Sequence, residues 1–264
     1  MRILFNNLIG QALFTSVHED AAFPVENLAS EYIRERYQVV GLVDSVTLTF
    51  AADVTLTDLF WGYTNVEKMQ VTFKDSAGDI VDIVYFEGGD VAHYYGYSGG
   101  VYGFDTHYYG YYDRTSNHLY DPVGWHFDAI TCRTIEIELE GPEDFYMGAL
   151  GLGAASVLAD PQDGWLEGWD DRSLRSESEG GHVLQQYVEP LRSYAWTLVG
   201  NTREEANAIR ELYKLSGVGK KLWVDPFENN HGFMEPIYCS LTAPMTTRKN
   251  GKWYSVDMQI KEAR

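Results

Sequence analysis

Alternation of apolar and polar residues dominates the first 155 positions and predicts β-strands. Residues 45–50, 69–73 and 134–139 alternate with a period of two, as expected for strands that bury one face. In the segment 134–139 the aliphatic side chains should face the core and the two glutamates should face solvent. Several short strands with turns between them predict a β-sandwich.

Other segments of this region predict a hairpin and fully buried strands. The turn-forming residues 75–79 separate 69–73 from an apolar run at 80–86, which indicates a hairpin. Residues 59–61 are a short apolar run that indicates a core strand, and 145–152 predict a further apolar strand that ends at Gly153.

Residues 182–264 predict a second, β-rich domain that contains one helix. Segments 183–188 and 192–199 resemble strands, and Asn250 followed by glycine predicts a later hairpin. Thr202 and Glu205 form a capping-box pattern at the start of a helix expected over about 203–216. The apolar stripe of this helix consists of Ala206, Ile209, Leu212, Tyr213 and Leu215.

The stretch 156–181 breaks the strand pattern because it is acidic, polar and punctuated by glycine. We interpret it as a connector between two domains. The predicted fold is therefore mainly β, with an N-terminal β-sandwich over 1–155, a connector over 156–181, and a β-rich domain with one α-helix over 182–264.

Charge and cysteine content narrow the possible partners. With 20 Lys and Arg against 39 Asp and Glu, the net charge of −19 opposes binding to nucleic acid. No apolar run reaches the roughly 18 residues that would predict membrane insertion, and no signal peptide is visible. Cys132 and Cys239 lie far apart in the sequence and are expected to be two separate buried thiols. Cytoplasmic assembly is the expectation.

A tyrosine- and glycine-rich segment, residues 90–112, is the most unusual part of the sequence. Tyrosine offers a large amphipathic contact area with few rotatable bonds, and glycine lets the chain bend around it. Packing on the protein itself, contact with a neighbouring subunit, and contact with a ligand such as a sugar all remain open. The candidate glycan or partner contacts are Tyr94, Tyr95, Tyr97, Tyr102, Tyr108, Tyr109 and Tyr111.

Catalytic and metal-binding patterns find little support. His93 and His107 lie near several aspartates, but no pair has a recognised ligand spacing. The acidic residues of 160–171 lack the order of a calcium loop. No nucleophile elbow or activated cysteine is visible. We therefore expect no enzymatic activity, no cofactor and no metal site.

Two parts of the chain resemble known families. Six segments together resemble the galactose-binding-like (discoidin-type) jelly roll found in bacteriophage tail and baseplate proteins: 7–16, 23–28, 45–50, 58–65, 133–139 and 146–153. The C-terminal part is similar to the ring-forming domains of siphophage minor or distal tail proteins. This second similarity lies in a Trp-bearing strand at 194–198, the helix, and a Gly-Lys-Lys-Leu-Trp-Val-Asp segment that leads into the last strands.

The resemblance implies a structural virion component of a phage tail tip or baseplate, assembled in the host cytoplasm. Such a protein would oligomerise through its C-terminal domain and present its jelly roll outward. Its expected partners are copies of itself and neighbouring tail proteins, with a host-surface glycan as a further possible contact. The alternatives are a free-standing carbohydrate-binding module and, third, a glycan-degrading enzyme.

Overall fold

The protein is mainly β, as the sequence predicts. The computed structural model describes residues 1–33, 35–87, 123–159, 161, 166–170, 174–177, 183–186, 191–226 and 236–263. The strands of this part of the chain are β1 (Arg2–Leu4), β2 (Ala12–Thr15), β3 (Tyr37–Gln38), β4 (Val43–Thr64), β5 (Lys68–Lys74), β6 (Ile80–Glu87), β7 (Val123–Glu140), β8 (Tyr146–Gly153), β9 (Ser156–Val157), β10 (Leu166–Asp170), β11 (Leu174–Glu177), β12 (Val183–Gln186), β13 (Leu191–Asn201), β14 (Lys221–Asp225), β15 (Ile237–Leu241), β16 (Thr246–Asn250) and β17 (Trp253–Glu262). One α-helix, α1 (Arg203–Ser216), and two short 3₁₀ helices, Leu8–Gln11 and Val25–Ala29, complete the elements.

The chain divides into two compact units, and each draws on two stretches of sequence. Unit 1 contains Met1–Val157 and Leu222–Ile237, and unit 2 contains Leu158–Lys221 and Tyr238–Arg264. Most of β14 therefore belongs to unit 1, although it follows the helix of unit 2 in the sequence.

Unit 1 is built on a seven-stranded antiparallel sheet with the order β3-β8-β4-β7-β5-β6, and β2 adds to β4. The alternation seen in the sequence sets its two faces. Ile135, Ile137 and Leu139 of β7 are buried, whereas Glu136 and Glu138 lie on the outer face, as predicted. The hairpin expected around 75–79 is confirmed as β5 and β6, which pair from Lys68 to Lys74.

Part of this sheet is buried on both faces, which explains why β4 loses its alternation after residue 58. One face carries Leu59, Trp61 and Trp125 into the main core of the sandwich. The other face carries Phe60, whose ring stacks on Trp223 with 5.5 Å between ring centroids. A second layer of strands, β14-β1-β9, supplies Trp223 on that side. Continuous apolar runs are what doubly covered strands require.

Two glycines of β8 allow this second layer to pack closely. A Cβ atom added to Gly151 would lie 2.5 Å from the indole nitrogen of Trp223, and one added to Gly153 would lie 2.7 Å from Leu4. Side chains at these positions would force β1 and β14 away from the sheet. Gly151 and Gly153 are therefore needed for the close packing of β1 and β14 on β8.

Unit 2 contains a sheet with the order β10-β13-β17-β15, with β16 also paired to β17. Helix α1 has the predicted bounds and the predicted capping box, in which Thr202 accepts from the backbone of Glu205 and the Glu205 carboxylate accepts from the backbone of Thr202. Ala206 and Ile209 of the predicted stripe are buried. Among the described residues, no helix has the length and apolar character needed to cross a bilayer.

Residues 166–170, expected to lie in a connector, instead form strand β10 and pair with β13. The acidic residues and Gly168 obscure a strand pattern that is visible only once its partner is known. The two cysteines are free and buried, as predicted. Burial raises the pKa of Cys132 to about 11, and it also raises that of Cys239, so neither thiol is activated.

Candidate binding groove and a buried ionic cluster

A groove of ≈ 490 Å³ opens on the outer face of the unit 1 sheet. Its floor contains a row of directly opposed residues from four neighbouring strands, Ser45, Glu138, Gln70 and Tyr85. Neighbouring strands lie about 4.8 Å apart, so the row spans roughly 14 Å, the scale of a short oligosaccharide. Tyr85 forms one side of the groove and is 61% exposed.

The opposite side of the groove is a short loop that a buried carboxylate holds in place. Asp44 Oδ1 accepts from the backbone N–H groups of Val17, at 3.1 Å, and His18, at 2.9 Å. Its Oδ2 accepts from the hydroxyls of Ser16, at 2.5 Å, and Tyr37. Asp44 therefore holds the backbone of Val17 and His18 in place, while the side chains of both residues line the groove and remain exposed.

The charges in the groove are not balanced. Lys68 lies at its rim and forms an ion pair with Glu140, with 2.8 Å between Nζ and Oε1. The carboxylate of Glu138 forms no hydrogen bond or ion pair with any side chain in the described part of the chain. Glu138 therefore differs from Asp44, whose carboxylate accepts four hydrogen bonds, and from Glu140, which pairs with Lys68.

This set of groups suits a sugar. The face of an aromatic ring accommodates the apolar C–H face of a pyranose, while amide and carboxylate groups accept or donate hydrogen bonds to its hydroxyls. Tyr85, Gln70 and Glu138 supply these functions side by side on a rigid sheet. A shallow, open groove can hold a chain of sugars but does not exclude water from them.

A second polar site, the ionic cluster of Arg2, Asp58, His126 and Asp225, also uses residues of β4 and β7 but is buried. His126 of β7 lies between two carboxylates: Nδ1 is 2.7 Å from Asp58 Oδ1, and Nε2 is 2.7 Å from Asp225 Oδ2. Arg2 donates to Asp58 Oδ1 at 3.1 Å, and the Ala155 backbone donates to Asp58 Oδ2 at 2.7 Å. Asp58, His126 and Asp225 are at most 3% exposed.

The geometry of this ionic cluster favours a protonated imidazole, since each ring nitrogen faces a carboxylate oxygen. Burial alone would lower the pKa of His126, but the hydrogen bonds to Asp225 and Asp58 outweigh it and hold that pKa above its ordinary value. Burial would raise the pKa of Asp58, yet hydrogen bonds from His126, Thr57 and the Ala155 backbone lower it overall. Within these four described residues, a protonated His126 and Arg2 face the carboxylates of Asp58 and Asp225.

The ionic cluster resembles part of a catalytic constellation but lacks access. A general base needs a substrate proton within hydrogen-bond reach, and both nitrogens of His126 already face carboxylates. Its four charged residues come from β1, β4, β7 and β14. We interpret the ionic cluster as structural, because its hydrogen bonds link β1 and β14 of the second strand layer to β4 and β7 of the sheet.

The predicted contact residues of the tyrosine-rich segment, Tyr94, Tyr95, Tyr97, Tyr102, Tyr108, Tyr109 and Tyr111, lie outside the described residues, as do His93 and His107. Their role remains a prediction. Within the residues that the structure describes, no group of three or more His, Cys, Asp or Glu side chains is arranged to hold a metal ion.

Sequence reasoning missed both sites. For the ionic cluster a signal was present, because Asp58, His126 and Asp225 are single charged or titratable residues inside or at the end of apolar strand segments. Such residues need buried partners. For the groove, Tyr85 and Glu138 look like ordinary exposed strand positions until the strand pairing brings them together.

Comparisons with known proteins give no family assignment: no family model and no curated protein matches the chain. Among solved structures, a mutant of the lectin binding domain of lectinolysin, complexed with Lewis b, has 8% identity and a TM-score of 0.40, over 57% of this chain and 97% of that one.

A fucose binding module of Streptococcus pneumoniae gives 6% identity and a TM-score of 0.39, over 56% of this chain and 96% of that one. A putative α-L-fucosidase from Bacteroides thetaiotaomicron gives 7% and 0.42, over 57% of this chain and 29% of that one. With TM-scores this low, none of these similarities bears on the ligand or activity of the present chain.

Proposed function

We propose that this protein is a non-enzymatic binding protein that holds glycans in the groove of unit 1. The observation that carries the proposal is the row Ser45-Glu138-Gln70-Tyr85, in which an exposed aromatic ring and hydrogen-bonding groups share one rigid floor. Binding sites commonly combine apolar surface with a few fixed polar groups in this way.

The absence of catalysis is part of the proposal. Its support is the separation of functions in unit 1, where the ionic cluster is closed to substrate and the groove is open to water. An enzyme that cleaves glycans needs acid and base groups at the bond it breaks, in a site that controls water access.

A glycan array probed with the full-length chain tests this function. We expect binding to a defined subset of glycans and its loss in Tyr85→Ala, because Tyr85 is the exposed aromatic ring of the groove on which a sugar ring would stack. Tyr32→Ala is the matched control, since Tyr32 is 63% exposed and lies outside the groove. An array without a reproducible hit would remove the proposal, and so would hits that survive Tyr85→Ala.

A second candidate, the phage tail-tip component, is supported by the sequence resemblance and by one feature of unit 2. Strand β10 is an edge strand of its sheet within the described residues, and it exposes Leu166 (70%) and Trp169 (63%). An open edge with exposed apolar side chains suits pairing with a second copy. In this setting unit 2 would assemble and unit 1 would present the groove.

Native mass spectrometry tests the assembly. We expect a discrete oligomer that Trp169→Lys converts to monomer, whereas Trp253→Lys, at another exposed tryptophan of unit 2 (55%), leaves it intact. A monomeric wild-type chain at high concentration would contradict self-association through this edge.

A further inference from the structure

We propose that the groove selects sugars that carry an amino group in its protonated form. This inference rests on the proposed glycan-binding function and names the class of ligand. It comes from the charge balance of the floor, from the spacing of its groups, and from the cost of covering an unpaired carboxylate.

Three carboxylates line the groove, and two of them have partners. Glu140 binds Lys68 at 2.8 Å, and Asp44 accepts four hydrogen bonds from the loop at residues 16–18 and from Tyr37. Glu138 has no such partner among the described side chains. A ligand cation placed over Glu138 would therefore form a new ion pair rather than compete for an existing one.

The spacing of the row fits an extended oligosaccharide better than a single sugar. Gln70 separates Glu138 from Tyr85, so the carboxylate and the ring lie about two strand spacings, roughly 10 Å, apart. A sugar ring stacked on Tyr85 would place its neighbour over Gln70 and Glu138. The amino group of that neighbour, or of the next sugar, would then meet the carboxylate.

The desolvation cost disfavours neutral and acidic glycans. A neutral sugar over Glu138 removes water from a carboxylate and replaces it with hydroxyl hydrogen bonds only, whereas an ammonium group replaces it with a charge-assisted bond. An acidic sugar would meet like charge both at Glu138 and in the whole chain, whose net charge is −19.

Isothermal titration of the full chain with two matched ligands tests the preference. One is the β-1,4-linked tetrasaccharide of glucosamine, and the other is the same tetrasaccharide with every amine acetylated. Only the charge and the acetyl groups differ. We expect the amine form to bind about fivefold more tightly, the range of an exposed ion pair, and we expect added salt to reduce this difference.

Two variants locate the effect. Glu138→Gln keeps the shape of the floor and one acceptor oxygen but removes the charge, so the preference should disappear. Glu143→Gln removes an exposed carboxylate outside the groove and should leave the preference unchanged. Tyr85→Ala should weaken binding of any ligand that occupies the groove.

Each remaining outcome counts against the inference in a distinct way. Equal binding of both tetrasaccharides, weakened for both by Tyr85→Ala, overturns the amine preference but keeps the glycan groove. A preference that persists in Glu138→Gln also overturns it. If neither tetrasaccharide binds, the preference is overturned, and the glycan array then decides the proposed function separately: hits on other glycans retain it, and an empty array removes it.

Discussion

Two polar sites lie on the same pair of strands, β4 and β7, yet they differ in almost every physical respect. Asp58 and His126 lie where the sheet is covered on both faces, and each has several partners. Ser45 and Glu138 lie where the outer face is open, and Glu138 has no partner among the described side chains. A polar group surrounded by partners holds the structure together, whereas one that lacks them remains available for a ligand.

The comparison implies that mutations in the two sites separate stability from binding. Removing one member of a buried, hydrogen-bonded ion group leaves uncompensated charge in a low-dielectric environment. Removing an exposed side chain from the groove costs the fold little, because water solvates the remaining groups. The predictions below test this separation, beginning with the largest expected effect.

Asp225→Ala should destabilise the protein by about 3–5 kcal/mol, because it leaves the buried imidazole of His126 with one carboxylate instead of two. Urea unfolding followed by tryptophan fluorescence measures this loss. Glu143→Ala, at an exposed carboxylate, should change stability by less than about 0.5 kcal/mol. If both substitutions changed the free energy of unfolding by similarly small amounts, the ionic cluster would not stabilise the packing of the second strand layer on the sheet.

Gly151→Ala should cost about 1–3 kcal/mol, because the added methyl group collides with the Trp223 indole and pushes β14 from the sheet. Gly10→Ala is the control, since a Cβ atom there meets nothing within 4 Å. Unfolding midpoints in urea compare the two. A neutral Gly151→Ala would indicate that β1 and β14 pack more loosely than described.

The ionic cluster should also make stability depend on pH. The contribution of His126, whose pKa is raised in the folded state, is fully present below its unfolded value of about 6.5 and is lost as pH rises through the folded pKa. The contribution of Asp58, whose pKa is lowered, is present above about 3.9 and is lost as pH falls through its folded pKa.

Urea midpoints measured from pH 5 to pH 9 test the histidine part of this dependence. The wild type should lose up to about 1.4 kcal/mol per pH unit on the alkaline side, and His126→Gln should lack this loss. An identical alkaline slope in both proteins would show that His126 is not the group responsible.

Tyr85→Ala should have the smallest effect on stability, within about 0.5 kcal/mol, while it removes glycan binding. The urea midpoint and the array signal of the same preparation are compared with those of Tyr32→Ala. A large loss of stability in Tyr85→Ala would mean that this ring stabilises the sheet. It would contradict the view that the groove residues serve binding and the ionic cluster serves stability.

Local patterns predicted much of the fold. Helix α1 was predicted at about 203–216, close to its observed bounds, because its capping box and its apolar stripe are contained in one short segment. The alternation of 45–50 and 134–139 assigned the correct side chains to each face, since the strand period needs no knowledge of the partner strand.

The sites could not be predicted because they depend on pairing between distant segments. Glu138 belongs to the groove only because strand pairing places it opposite Gln70, which is 68 positions away in the sequence. Gln70 in turn lies opposite Tyr85. His126 needs Asp225, 99 positions away, in a strand that follows the helix of the other unit. No local pattern encodes which distant strand will lie beside a given one.

The pairing of β1 with β14 also bears on how the protein folds during synthesis. Arg2 leaves the ribosome before its strand partner, Asp225, which is made more than two hundred residues later. Until β14 has been made, it cannot cover the face of the sheet that contains Gly151, Gly153 and Asp58. Unit 1 therefore cannot be completed until residues 222–237 have been made, after the helix of unit 2, and a shorter nascent chain exposes a surface open to chaperones and aggregation.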